Sequence, residues 1–316
     1  AYEIRPRDWS SDVCSSDLFQ FVGDPVAALV GQDATPEKMA AVRAELGLDQ
    51  PMVVQFQRFV ANALHGDFGM SLRQGQKVST LIARAFPATL ELALLAGLLA
   101  LLAGIPLGVY TALRRDGALA QLLMAVSLVG VSLPSFLIGI GLILVFAVGL
   151  GWLPSFGRGE VVALGGWTTG FLTADGWRHL LMPAVTLAAY PLTLVIRLVR
   201  AEMLEVLRAD YIKFARARGL RERSIHFGHA LKNTLVPVIT VVGLQLGNLI
   251  AFAVISESVF QWPGMGLMFV EAVSFADIPV MAAYLCLVAL VFVAINLVVD
   301  LLYVVVDPRL RVGREH

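Results

Sequence analysis

The chain of 316 residues is predicted to fold as an all-α, polytopic membrane helical bundle, and three observations carry that expectation. Hydrophobic residues make up 58% of it and charged residues 15%, with a mean hydropathy of +0.76, whereas a soluble domain carries about 25% charged residues. The deficit is concentrated in apolar runs long enough to cross a bilayer, which takes about 20 residues. Basic residues crowd alternate connections between those runs, the asymmetry that orients membrane proteins.

Five spans are readable, over residues 88–113, 119–150, 180–197, 235–256 and 279–306. The second is longer than a bilayer requires and contains Pro134, so it tilts, kinks there, or dips out and back. Pro106, Pro183 and Pro191 mark further kinks. Gly104-Ile-Pro-Leu-Gly108 and Gly243-Leu-Gln-Leu-Gly247 match GxxxG, in which small residues four apart let helices approach closely.

Arg114 and Arg115 follow the first span, nine basic residues between Arg197 and Lys232 follow the third, and Arg309, Arg311 and Arg314 follow the fifth. The alternate connections hold only Arg158 and Arg178 and, between Glu257 and Asp277, no Lys or Arg. The first set is therefore expected in the cytoplasm. The second carries Trp152, Trp167, Trp177 and Trp262, amphipathic rings suited to a membrane interface.

This orientation puts residues before the first span outside. Residues 1–18 hold no apolar run, and their Ser/Asp string resembles translated adapter DNA, a non-native leader standing in place of a native first span. Residues 19–86 are expected to form an external region. A helix is predicted from the N-cap Thr35 and Pro36 through Met39, Val42 and Leu46 to a stop at Gly47, and a second over residues 51–64. The membrane domain then runs over 87–308, with a basic loop at 201–234 and a tail at 309–316.

Several chemistries find no support. No GxxxxGK[ST] is present, so the chain carries no P-loop for ATP. Of five histidines only His226 and His229 are close, and that pair reads as solvated or facing a partner rather than as a metal site. Net charge is zero, which gives no electrostatic footprint for nucleic acid. Cys14 and Cys286 are far apart and no disulfide is expected. Within the spans, Glu91 lies near the start of the first; Asn296 and Asp300 lie one turn apart in the last and read as structural, either in contact with each other or with Asp300 paired to an Arg on a neighbouring helix, rather than as a proton relay.

The basic loop is the most informative segment. Asp210 is a suitable N-cap and Gly219 a suitable C′ residue for a helix of two turns. Tyr211, Phe214, Ala215 and Arg218 fall at i, i+3, i+4 and i+7, an apolar-edged face for docking. Lys213 and Arg216 add positive charge. A following helix is predicted from Ser224 through His229 and Asn233 into the fourth span.

Ala215-Arg216-Ala217-Arg218-Gly219-Leu220, then His229-Ala-Leu-Lys-Asn233 and Pro237, resemble the cytoplasmic signature of ABC importer permeases of the dipeptide/oligopeptide/nickel branch. Further similar stretches run from Gly23-Asp24-Pro25 onward. They include His65-Gly66-Asp67-Phe68-Gly69 and Pro87-Ala88-Thr89-Leu90-Glu91-Leu92. Glu257, Phe260, Trp262-Pro263-Gly264, Gly266 and Asp277 are similar to the family's last external loop, and Asn296, Asp300, Tyr303 and Asp307-Pro308-Arg309 to its terminal signature.

The resemblance implies a type I importer permease fold of about six helices in a bacterial or archaeal inner membrane. It implies a transport subunit that is not itself an enzyme and binds no cofactor. ATP and Mg would be bound by two cytoplasmic ATPase subunits that grip the Asp210–Gly219 segment. A second permease, identical or homologous, would complete the pathway, and an external solute-binding protein would deliver cargo: peptides first, with nickel chelates, glutathione or sugars as alternatives. The competing reading is a secondary transporter or channel, which predicts broken helices and polar groups gathered at mid-membrane.

Overall fold

The computed structural model describes residues 49–306, apart from a few side chains, and the isolated positions 35, 37, 40, 41 and 44. The expected leader, most of the helix from Thr35, Gly23-Asp24-Pro25, Asp307-Pro308-Arg309 and the tail lie outside the described residues. Thr35 itself is non-helical, and Glu37, Ala40, Ala41 and Ala44 are helical.

Most of the described chain is helical. Helix α1 is Met52–Leu64, α2 Val78–Leu113, α3 Ala118–Ser132 and α4 Ser135–Leu142, continued by a π-helical stretch over Ile143–Gly149. A hairpin of β1 (Val162–Leu164) and β2 (Trp167–Thr169) precedes α5 (Ala174–Val206) and the short α6 (Asp210–Ala217). A π-helical stretch over Ser224–Ala230 leads into α7 (Leu231–Val259), followed by α8 (Met265–Ser274) and α9 (Ile278–Val306).

Among the described residues three helices are long and apolar enough to cross a membrane, or up to five if each of two bent pairs counts as one span. All five predicted spans coincide with these elements. The second is broken after Ser132 and bent by 112°. Pro134, which cannot donate to the turn before it, stands at the break as the N-cap of α4. By contrast α2 continues through Pro87 and Pro106, and α5 through Pro183 and Pro191. The carbonyl of Pro183 accepts a buried hydrogen bond from Ser256 Oγ on α7 at 3.0 Å.

The chain divides into two compact units. One combines residues 1–84 with 268–287 and has a small core of Val78, Leu81, Ala272, Val280 and Ala283. The other comprises residues 85–267 and 288–316. Its first core gathers Leu92, Ala96, Leu180, Leu187, Leu249 and Trp262. Its second gathers Val109, Val199, Met203, Ile212, Ile225 and Val242.

Both GxxxG motifs are packing devices in this second unit. A Cβ on Gly104 or Gly108 would come within 2.7 and 2.6 Å of Val195 and Val199 on α5. A Cβ on Gly243 or Gly247 would come within 2.2 and 2.6 Å of Val299 and Phe292 on α9. Each pair thus creates a groove that a larger residue would close.

Two elements were not anticipated. The hairpin carries its own signal, Gly165-Gly166 between apolar residues, and Gly165 has φ +64°. Helix α8 occupies what reads as an external loop in the sequence.

Candidate functional site

Helix α6 corrects the expected cap. Ala209, not Asp210, is the N-cap, and Asp210 is already helical and caps nothing. Asp210 instead receives a hydrogen bond from Lys213 Nζ at 2.8 Å, and this bond first, then the charge of Lys213, holds its carboxyl below the usual aspartate range. The C-terminal end matches expectation. Gly219 has φ +78°, its N–H donates to Arg216 O at 2.9 Å, and the Leu220 N–H donates to Ala215 O at 3.3 Å. These two bonds form a Schellman closure, which requires a left-handed residue at the glycine position.

The docking face is also corrected. Ile212 and Ala215 are buried with Ile225 and Ala230, so they anchor α6 to the chain's own core. The residues left open are Tyr211, Phe214 and Arg218, with Phe214 64% exposed. The Arg218 guanidinium lies 5.8 Å from the centroid of the Phe214 ring. Ala217, Leu220 and His229 are exposed as well.

Side-chain bonds tie α6 to the 222–233 segment. Asn233 Nδ2, near the start of α7, donates to Tyr211 Oη at 2.7 Å. Arg216 donates to both carboxylate oxygens of Glu222, at 2.9 and 3.3 Å. The predicted second helix begins at Glu222, two residues early, and passes through the π-helical stretch into α7, which contains Pro237. His226 Nε2 lies 3.1 Å from Glu222 Oε2.

Glu257 organises the end of α7. It is completely buried. Its Oε1 accepts from Thr89 Oγ1 at 2.6 Å and its Oε2 from the Leu267 N–H at 3.0 Å. Thr89 Oγ1 in turn accepts from the Met265 N–H at 2.8 Å, so its own proton is committed to Glu257. Gln261, with φ +47°, turns the chain after Phe260, and the Gly264 N–H bonds Trp262 O at 2.7 Å around Pro263. Trp262 is thereby directed inward, fully buried, with Nε1 donating to Ala88 O at 3.0 Å. Phe260 is buried beside it in sequence, and its carbonyl accepts from the Gly157 N–H at 2.9 Å. Gly264 and Gly266 are required by proximity: a Cβ would meet Glu257 oxygens at 2.3 and 2.9 Å.

A second buried carboxylate stands on α2, two residues after Thr89. Glu91 Oε2 pairs with Arg158 Nη2 at 2.7 Å, both side chains being under a tenth exposed, and Glu91 Oε1 accepts from the Gly170 N–H at 3.2 Å. Arg158 also donates to Thr168 Oγ1 and O at 3.0 and 2.7 Å. In the sequence Arg158 reads only as an orienting charge, because a partner 67 positions away leaves no local signal.

Asp277 belongs to the other compact unit. It is buried and accepts from Ser71 Oγ at 2.5 Å and from the N–H groups of Leu72 and Arg73 at 3.2 and 3.3 Å. It thus fixes the 71–73 turn. Asn296 is half-buried, with an Oδ1 that has no partner among the described residues. The side chain of Asp300 lies outside the described residues, so the expected contact between the two is not part of the described structure. Among the described residues no group of three metal-ligating side chains converges.

A family model described as binding-protein-dependent transport system inner membrane component matches residues 104–312. A second, for the N-terminal part of such a component, matches residues 12–93. The probable D,D-dipeptide transport system permease protein of Escherichia coli K12 is 43% identical over 309 residues, covering 92% of this chain and 89% of that protein. The di/tripeptide transport system permease protein of Pseudomonas aeruginosa is 41% identical, covering 92% of this chain and 90% of its own length. The glutathione transport system permease protein of Salmonella paratyphi A is 38% identical, with 93% and 92% covered. Among solved structures, the MetNI methionine ABC transporter in an inward facing conformation aligns with a TM-score of 0.57 at 19% identity, over 72% of this chain and 96% of that chain. That likeness shows the fold.

Proposed function

Because the chain belongs to the family of binding-protein-dependent transport system inner membrane components, we propose that it couples closure of partner ATPase subunits to inward passage of di- or oligopeptides. The peptide assignment is supported by relatives whose names specify dipeptides, di/tripeptides and glutathione. ATP and Mg are assigned to the partners, since the chain has no P-loop. The charge asymmetry supports a cytoplasmic position for α6 and for the C-terminus, with the 151–173 and 260–277 segments outside. On this reading a second permease and an external solute-binding protein complete the importer.

The observation that carries the coupling role is the architecture of α6. One side, Ile212 and Ala215, is embedded in the core at the foot of α7; the other, Tyr211, Phe214 and Arg218, is open. Force on the open side would pass through this packed contact and the Asn233–Tyr211 bond into α7. α7 also ends at the Glu257 cluster, so one helix links the two candidate sites. A groove on the ATPase that receives Phe214 would move this helix as the ATPases close. The Glu257 cluster, built from closed hydrogen bonds, would hold the opposite end in shape while docking events act on the loops beside it.

Replacing Gly219 tests this. A leucine there meets no steric obstacle, since no atom lies within 4 Å of a Cβ, but it resists the left-handed backbone. The cost is about 1–2 kcal/mol, local to the end of α6. Membrane insertion is expected to stay normal while ATPase co-purification and ATP-dependent peptide uptake in vesicles fall. Unchanged docking would remove the mechanical role of α6; uptake by this chain without ATPases would favour a secondary carrier.

A further inference from the structure

The structure holds a basic cavity that the coupling reading leaves without an occupant. It has a volume of about 580 Å³ and lies where the turn after α2 meets the end of α5 and the side of α6. Four arginines line it, Arg114, Arg115, Arg208 and Arg216, against one acid, Asp116. Two are already engaged: Arg115 with Asp116 at 3.4 Å and Arg216 with Glu222 at 2.9 Å. Arg114 and Arg208 have no carboxylate partner among the described residues. The wall behind them is apolar, formed by Leu204 and Leu207.

The position of this charge matters. α2 ends at Leu113 and α3 begins at Ala118, so the cavity sits at the ends of two apolar helices, where a bilayer matched to their apolar length would place its lipid phosphates. From its edge, Leu119, Leu122, Val126 and Val129 follow along α3 at i, i+3, i+7 and i+10, each more than half exposed. That spacing is one helix face, and at 1.5 Å per residue it extends about 15 Å into the apolar layer. A cationic recess continued by an apolar stripe matches an amphiphile with an anionic head.

We propose that this cavity binds the phosphate of an anionic phospholipid, held by Arg114 and Arg208, with an acyl chain lying along the α3 stripe. Free inorganic phosphate shares the head-group chemistry but has nothing to place on Leu119 and Leu122. A bound head group lies against Arg216, which belongs to α6, so lipid binding joins the membrane surface to the helix assigned to coupling. The binding itself does not depend on that assignment.

The test uses the full chain in nanodiscs of phosphatidylcholine with a minority of phosphatidylglycerol. Lipid that remains bound after extraction is read by native mass spectrometry, beside ATPase co-purification. Wild type is expected to retain phosphatidylglycerol in preference to phosphatidylcholine. Arg114→Gln/Arg208→Gln is expected to retain it about twenty-five-fold less, the product of a roughly fivefold contribution from each arginine near an anionic surface. Arg114→Lys/Arg208→Lys keeps the charge and most of the retention, which separates head-group binding from a folding defect; the two double variants should elute identically on size exclusion. Equal retention by wild type and the glutamine variant, or no preference between the two lipids, overturns the proposal. So does full displacement by inorganic phosphate at matched ionic strength, which would assign the site to the free ion. Loss of ATPase co-purification with lipid retention intact would assign the arginines to an acidic protein surface instead, and equally overturns it.

Discussion

Glu257 and Asp210 are both carboxylates at helix ends, and the chain treats them in opposite ways. Glu257 is fully buried, and its oxygens are met by a hydroxyl and a backbone N–H whose own geometry is fixed in turn. Asp210 is 97% exposed and has one partner, a lysine one turn further along the same helix. A buried carboxyl group with matched donors dictates the backbone around it, because any displacement leaves a polar group without a partner away from water. An exposed pair dictates little, since water replaces each partner at small cost. The first arrangement builds a rigid support; the second leaves a surface free to rearrange against another protein.

The largest effect is therefore expected at Glu257. Glu257→Ala strands the Thr89 hydroxyl and the Leu267 N–H and empties the space against Gly264 and Gly266. Each buried donor left unsatisfied costs roughly 1–3 kcal/mol, and two are stranded here, visible as a large drop in the thermal midpoint of the detergent-solubilised chain. Glu257→Gln is the sharper variant. It keeps the shape but turns an amide donor toward a donor that is already committed, and roughly 1–3 kcal/mol should be lost. If Glu257→Gln melts like wild type, the cluster is not a rigid element.

Phe214→Ala should show the reverse pattern. Its side chain is mostly in water, so the stability of the isolated chain should change by less than about 0.5 kcal/mol. Removing a central aromatic anchor from an interface typically weakens association by about 2 kcal/mol. Titration of the purified ATPase subunits onto the solubilised permease separates the two quantities. A destabilised chain with unchanged ATPase affinity would exchange the roles assigned to the two faces of α6.

Much of this contrast was legible in the sequence, though unevenly. The spans follow from hydrophobic length, and the glycine pairs 104/108 and 243/247 follow from residue size alone, because contact between helices needs little more than the absence of side chains. Gly219 was legible because one residue type suits a left-handed helix end. The buried face of α6 was not. Its periodicity groups Ala215 with Tyr211 and Phe214, whereas Ile212 and Ala215 are taken inward because Ile225 and Ala230, contributed by the following segment, lie against them. Asp210 has the chemistry of a cap, but Ala209 has the extended backbone that the N-cap position requires, φ −63° and ψ 149°. The Glu91–Arg158 and Ser71–Asp277 pairings join residues far apart in sequence and so left no local trace. Pro134 marks a place where the second span can kink, one of three outcomes its length allows, while the size of the bend depends on neighbours that periodicity does not report.

Tyr211→Phe is a smaller perturbation, placed on the link between the open and buried regions. It removes the bond from Asn233 and little else, since Tyr211 is itself part of the exposed face. The loss should be about 0.5–1 kcal/mol at most, the lower range for an exposed hydrogen bond. If α6 transmits force through this bond, ATPase affinity stays near wild type while the ratio of peptide transported to ATP hydrolysed falls. Loss of affinity without a change in that ratio would make Tyr211 a contact residue only.

The smallest effect is expected from titrating Asp210. Its hydrogen bond with Lys213 and the lysine charge favour the ionised form, so its folded-state midpoint lies below the ordinary aspartate value of about 3.9. A depressed carboxylate contributes stability above the unfolded-state pKa and loses it as the pH falls through the folded-state value. Any contribution from this pair is therefore fully present at neutral pH and disappears only in strong acid. With Asp210 almost entirely in water, even that contribution should be too small to move the melting curve. The signature is instead local: in Lys213→Ala the carboxyl resonance of isotopically labelled Asp210 should titrate at a higher pH than in wild type, with the melting temperature unchanged. A coupled fall in melting temperature would mean that the exposed end of α6 carries structural load, and the division between rigid support and open surface would have to be redrawn at this helix.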